Sequence, residues 1–432
     1  MHLLLLYAVY SLLYVNIIMS PEDTLSQIQE DLENFTDADI DIMYTYFGVS
    51  NLFDLSMHIY NQSSYNYMEM PKRNIDRNSD DEEPSHKREN WHDVLQLQTF
   101  GTNIDINDIF EDAVLDENIE KIQALLRDPQ VDPSFDNNWS IKRAVEAGNV
   151  DIVRLLLSNP RVDPSDENNY AIITAAENGH IEIVKLLLNN PRVDPSERDN
   201  WAIRSAAMNG HLEIVKLLLT YQRVDPSSFD NHAIQLAAEN GHLEIVKLLL
   251  NDDNVDPSDN DNHAIQEAAM NGHLEIVKEL LNDDRVDPSD KNNYAIRYAA
   301  CNGHLEVVKL LLTDPRVDPS DNDNWAIRYA AKNGHTEIVK LLLNYSGPPL
   351  PKNMRNYQHK HAIRSIYSRF RVNPSDDDNL AIKWAAYYGH LEIVKLLLKD
   401  QRVRDLIRKN NDPKNNYPKL VIDILKEEYP AS

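Results

Sequence analysis

Seven histidines, His180, His211, His242, His273, His304, His335 and His390, each follow a glycine and precede an apolar run. Imidazole titrates near neutrality, so it is the first candidate for a general base or a metal ligand. A catalytic site needs one special constellation of base, nucleophile and orienting group, whereas these seven hold equal positions in equal surroundings. Their uniform register points to capping or bracing the turn that follows each glycine. Other candidates are thinner. His359 and His361 form a His-x-His pair with no third ligand beside it. Cys301 is the single cysteine, which excludes an intrachain disulfide and a thiolate metal cage. The recurrent Val-Asp-Pro-Ser lacks the clustered glycines of a phosphate loop or a nucleophile elbow. No catalytic, cofactor-binding or metal-binding residue is assigned, and the chain reads as a protein that is not an enzyme.

The elements that carry these histidines recur. A Val-Asp/Asn-Pro triplet begins at Val131, Val162, Val193, Val224, Val255, Val286, Val317 and Val372; the first six steps are 31 residues long and the last is 55. A period of this size marks a solenoid, whose units bury their apolar faces only by stacking. Within the third copy, Asn200 stands where an N-cap is expected, followed by a helix with Ile203, Ala206 and Ala207 on its core face. Asn209-Gly210 makes the turn, where glycine supplies a positive φ. A second helix, LEIVKLLL, presents Leu212, Val215, Leu218 and Leu219 inward and Glu213 and Lys216 outward. Pro226 then forbids further helix and returns the chain to the next copy.

The stretch NGHLEIVKLLL at residues 209–219, repeated at 240–250, resembles the second half of an ankyrin repeat, and WAIRSAA sits where ankyrins carry Thr-Pro-Leu-His-x-Ala-Ala. The resemblance covers roughly residues 100–402. Here the Thr-Pro pair becomes aromatic-Ala, the first-helix histidine becomes Arg, Gln or Lys, and the unit has 31 rather than 33 residues, which shortens the expected β-turn finger. The wording DPRVDPSDNDNWAIRYAAKNGH is similar to ankyrin-repeat proteins of mimivirus-like giant amoebal DNA viruses. The resemblance implies an all-α, ankyrin-type solenoid of stacked helix-turn-helix repeats whose first helices line a concave, partner-binding face.

The copies differ most along that helix. Opposite its Ile/Ala core, spacing i, i+4, i+7 draws a stripe: Trp139-Arg143-Glu146, Tyr170-Thr174-Glu177, Trp201-Ser205-Met208, His232-Leu236-Glu239, His263-Glu267-Met270, Tyr294-Tyr298-Cys301, Trp325-Tyr329-Lys332 and Leu380-Trp384-Tyr387. Aromatics of this kind are enriched in binding hot spots; at helical spacing they equally pack on adjacent repeats. The partner-binding residues expected from the stripe are Trp201, Ser205, Met208, Tyr294, Tyr298, Trp325, Tyr329, Lys332, Trp384 and Tyr387, with the principal site in the C-terminal third. Alanine at Tyr298, Tyr329 and Trp384 is expected to abolish binding with little effect on melting.

The remaining chain divides by composition. Residues 1–20 are apolar: a start-site error with translation from Met19, a signal or anchor, or a docked helix. Residues 21–70 form a small acidic helical region, 71–90 a charged linker too poor in apolar surface to order, and 91–130 a capping repeat. Repeats 1–7 occupy 131–346 and repeat 8 occupies 372–402. Between them, 347–371 is a basic insertion or a decayed repeat, and 403–432 closes the stack. A formal charge of −27 over 432 residues argues against nucleic acid and anionic membranes, both of which need basic surface. The expectation is a monomeric, cytoplasmic, non-enzymatic protein-interaction scaffold for a host or viral protein, membrane-attached only if residues 1–20 are an anchor. The alternative is an adaptor whose N-terminal region recruits ubiquitin-ligase or other host machinery to a substrate that the array selects.

Overall fold

A computed structural model describes residues 105–347, 371–409 and 417–429. All lie within the second of two compact units, Glu89–Ser432. The described residues form 20 α-helices and no strand. After a leading pair, Ile106–Leu115 and Ile119–Leu125, eight two-helix repeats follow, and helices Gln401–Lys409 and Lys419–Glu428 pack on the last of them.

Repeat 3 shows how the sequence makes the layer. Ile203, Ala206 and Ala207 of its first helix, Glu197–Met208, are fully buried against Val215 and Leu218 of its second, Leu212–Leu218. The alanines admit the neighbouring backbone, so first helices of successive repeats lie together along most of their length, while second helices touch at a few points. One correction concerns the second helix. Ile214, 2% exposed, joins the core, and Leu212 and Leu219 stay at its rim. A helix of seven residues wedged between its own first helix and two neighbouring layers buries i, i+1 and i+4 rather than a single stripe.

The expected N-cap at Asn200 is not formed. Arg198, Asp199 and Asn200 adopt left-handed φ values of 51°, 54° and 59°, and Asn200 N donates to Ser196 O at 2.9 Å, closing one left-handed turn ahead of the right-handed helix. The same turn recurs in all eight repeats. An ordinary L-residue there costs about 1–2 kcal/mol, and asparagine and aspartate tolerate it best. Every second and third position of these turns is Asn or Asp, and every third is Asn.

That third asparagine joins layers instead of capping a helix. Asn231 Oδ1 accepts from Asp256 N at 2.8 Å and its Nδ2 donates to Asp259 at 2.6 Å, both in the next repeat. Asn262 and Asn293 repeat the pair. The aspartate that follows is itself tied down: the Ser258 hydroxyl donates to Asp256 at 2.7 Å and holds its carboxyl below the usual range against the opposing effect of burial.

Repeat 8 stacks directly on repeat 7 although 55 residues separate their triplets. Asn324 Oδ1 accepts from Asn373 N at 2.6 Å, Arg328 pairs with Asp377, and Lys340 reaches Glu392 at 3.0 Å. The basic insertion or decayed repeat expected at 347–371 lies outside the described residues over 348–370. At the far end Asn379 finds no further repeat, and its Nδ2 donates to Tyr417 Oη at 3.0 Å and Val403 O at 3.2 Å of the closing helices.

Candidate protein-binding face

Six of the seven turn histidines tie one layer to the layer before it. None makes a side-chain cap bond to its own helix, so the capping half of the expectation gives way to the bracing half. His211 Nε2 pairs with Glu177 O, and His242 Nε2 with Met208 O, each at 2.9 Å in the preceding repeat. His273, His304, His335 and His390 do the same. The ring of His242 lies on Gly210, where a Cβ would come within 2.6 Å of it. Glycine is needed at Gly210 both for its φ of +79° and for this approach.

A second brace starts from the variable Arg/Gln/Lys position of the first helix. Arg204 Nη2 donates to Arg198 O at 3.2 Å, Gln235 to Asp230 O at 2.5 Å and Arg297 to Lys291 O at 3.2 Å. These long side chains supply donors to carbonyls of the left-handed turn. The two arginines then carry their charge among the stripe aromatics. The Arg204 guanidinium lies 4.6 Å from both the Trp201 and Phe229 rings, and its Nη1 is 3.2 Å from His232 Nδ1. Burial foremost, then the Arg204 charge and His263, push the His232 pKa down to about 4, so this imidazole is neutral.

From Tyr294 onward the stripe becomes a continuous ladder of rings. Tyr294 stacks on Tyr298 at 4.0 Å, Tyr298 meets Trp325 at 4.9 Å, Trp325 stacks on Tyr329 at 3.8 Å, and Tyr329 meets Trp384 edge-on at 5.1 Å. Arg297 lies 5.2 Å from the Trp325 ring, and Lys332 lies 5.0 and 5.1 Å from Tyr329 and Trp384. Burial pushes the Arg297 pKa down from its ordinary value.

The stripe residues therefore differ in what they can offer a partner. Ser205 is buried and donates to Ala202 O at 3.2 Å, and Tyr329 is buried within the ladder. Trp201, Tyr294, Tyr298, Trp325, Lys332 and Trp384 are half-buried. Met208 at 40% and Tyr387 at 77% are exposed, and beside Tyr387 stand exposed Tyr388 and Leu391. Tyr388 and Leu391 lie beyond the i, i+4, i+7 stripe, which ends at Tyr387, so the spacing does not single them out. Arg204, Arg297 and Phe229 escaped the sequence reading because cation–π contacts join side chains on neighbouring repeats.

Cys301 is buried, and Asn333 donates to its carbonyl at 2.8 Å. Among the described residues, no group of three or more His, Cys, Asp or Glu side chains is arranged to hold a metal ion. His359 and His361, the apolar segment 1–20 and the region 21–70 lie outside the described residues. No described helix is long and apolar enough to cross a membrane.

A family model described as ankyrin repeats (three copies) matches residues 110–199, 172–261, 203–292, 265–353 and 296–409. The chain belongs to the ankyrin-repeat family. No curated protein matches the chain, so the likeness to giant-virus ankyrin-repeat proteins rests on the wording of the repeats. Ankyrin repeats generally mediate protein–protein interaction and are typically non-enzymatic scaffolds.

Proposed function

We propose that this ankyrin-repeat array is an interaction scaffold that holds a partner protein on the face of its first helices, chiefly over repeats 6 to 8. The observation that carries the reading is the contrast within one helix: Ile203, Ala206, Ala207 and their counterparts scarcely change, while the positions at Ser205 and Met208 hold many different residue types across the eight copies. Stacking alone demands the first set and leaves the second to be chosen by something else. Aromatic side chains with one apolar face and one polar handle suit that role. The closer packing of the first helices supports a stack bent toward that side, which would make this face the concave one. The residues assigned to contact are Met208, Lys332 and Tyr387 at the surface. Trp201, Tyr294, Tyr298, Trp325 and Trp384 contribute the accessible parts of their half-buried rings, and Ser205 and Tyr329 shape the floor. Giant-virus-like wording favours a host or viral protein as the partner.

Proximity labelling with the full-length chain tests the assignment. A chain carrying Met208→Ser and Tyr387→Ser should lose a set of neighbours that a chain altered on the opposite side, with Glu306→Ser and Lys309→Ser, retains. The reverse pattern would move the contact surface to the second helices.

A further inference from the structure

The stripe changes charge along the array. In repeats 1 to 5 it carries Glu146, Glu177, Glu239 and Glu267 against a single Arg143. In repeats 6 to 8 it carries no carboxylate, and Lys332 is its one charged residue. Among the described residues, no carboxylate lies within ion-pair distance of Lys332, although neighbouring Arg328, Lys340 and Lys383 are all paired. Its ammonium rests instead on the Tyr329 and Trp384 rings. In a protein with a formal charge of −27, a cation with no ion pair among the described residues thus stands at the most aromatic part of this face.

We infer that this end of the face takes an acidic linear segment of a partner protein, which sets a carboxylate against Lys332 and lays flat groups, proline or aromatic, on the exposed Tyr387 and Tyr388 rings. The inference rests on the protein-binding reading above and adds the chemistry of the occupant. A carboxylate approaching Lys332 meets a cation already half-desolvated by two ring faces, so the pair forms in a less watery setting than an ordinary surface ion pair. Tyr387 and Tyr388, their rings 5.1 Å apart and edge-on, form a right-angled step against which a proline or aromatic ring can lie. An extended single strand of nucleic acid would also stack here, but one lysine cannot neutralise a phosphate backbone in an acidic protein.

The probes are fluorescein-labelled peptides of repeating Glu-Pro-Trp, Gln-Pro-Trp and Lys-Pro-Trp triplets, titrated with the full-length chain at low ionic strength and followed by anisotropy. The acidic peptide should bind about fivefold tighter than the neutral one, and Lys332→Gln should erase that preference while lowering the melting temperature only slightly, through the lost ring contacts. Tyr387→Ser should weaken both peptides. Equal or weaker binding of the acidic peptide, or an acidic preference that survives Lys332→Gln, overturns the inference. If the neutral or basic peptide is preferred and its binding still falls with Tyr387→Ser, the protein-binding face stands and only the anionic occupant is lost. If no peptide binds, or none responds to Tyr387→Ser, both readings fail. Tighter binding of a thymidine oligonucleotide, or self-association of the unliganded chain that Lys332→Gln abolishes, would replace the acidic partner with nucleic acid or a second copy.

Discussion

Repeats 3 to 5 and repeats 6 to 8 are built on one backbone and finished differently. In both regions the left-handed turn, the interlayer asparagine and the turn histidine recur with nearly the same geometry. Over repeats 3 to 5 the stripe holds Trp201, His232, His263, Ser205, Leu236 and Glu267; over repeats 6 to 8 it holds a stacked ladder from Tyr294 to Trp384. The comparison separates two kinds of interlayer force. Backbone-directed hydrogen bonds set where a layer sits and are shared, whereas ring contacts add attraction between particular layers and are not.

The ladder offers the largest way to break the comparison. Because its rings pack on one another, alanine at Tyr298, Tyr329 and Trp384 together removes stacking as well as contact surface, and the expectation of an unchanged melting curve no longer holds. Equilibrium unfolding in guanidinium should show a loss of roughly 5 kcal/mol. Alanine at the matching positions Ser205, Leu236 and Glu267 should cost about 2 kcal/mol in total. Similar losses in both regions would mean that the ladder contributes no interlayer attraction of its own.

The shared machinery should respond equally on both sides. Asn231→Ala and Asn293→Ala each delete two interlayer hydrogen bonds at a buried site, orphan the backbone N–H of Asp256 or Asp318, and leave alanine at a φ of 58° or 59°. Each should cost about 3 kcal/mol. Unequal losses would show that the ladder also changes how firmly the hydrogen-bonded frame is held.

Acid separates the regions again. His232 has a folded pKa of about 4 against an ordinary value of 6.5, lowered first by burial and then by Arg204. The unfolded chain therefore takes up the proton more readily. Its contribution is intact above about pH 6.5 and is lost as pH falls toward 4, up to roughly 3 kcal/mol. The ring ladder holds no imidazole, although burial also lowers the pKa of His304 at the turn of repeat 6. Hydrogen exchange at pH 5 should show repeats 3 and 4 opening ahead of repeats 7 and 8. His232→Tyr, the residue type that repeats 2 and 6 hold at this position, should remove much of that difference.

Helix content, period, turn glycines and the Ile/Ala core were all legible in the sequence, because each follows from spacing along one chain. Ile203, Ala206 and Ala207 could be placed from their 3.6-residue rhythm alone. Asn200 could not, since an asparagine ahead of a helix satisfies the N-cap pattern equally well; its partner, Asp225, lies 25 residues away and meets it only after stacking. The unbroken Asn/Asp run at the second and third turn positions was the available sign of left-handed backbone. Direct stacking of repeat 8 on repeat 7 was similarly hidden, because a long step between two triplets does not say whether the extra chain forms a layer. The aromatic positions were visible, but their burial was set by neighbours on other repeats.

Phe229 provides the smallest and most discriminating test. It holds the first left-handed position of repeat 4, at φ 57° and ψ 55°, with 58% of its surface exposed. Relieving a bulky residue of that conformation is worth about 1 kcal/mol, while its contact with Arg204 returns about 0.5 kcal/mol. Phe229→Asn should therefore stabilise the array by about 0.5 kcal/mol. The reciprocal change in repeat 7, Asn322→Phe, should destabilise it by about 1 kcal/mol, because the counterpart of Arg204 there, Arg297, already lies against the Tyr294, Tyr298 and Trp325 rings and cannot stack on a new ring as readily. Paired melting curves of the two variants decide the matter. If Phe229→Asn lowers stability, the Trp201–Arg204–Phe229 sandwich is a genuine interlayer force, and repeats 3 and 4 possess their own short counterpart of the C-terminal ladder.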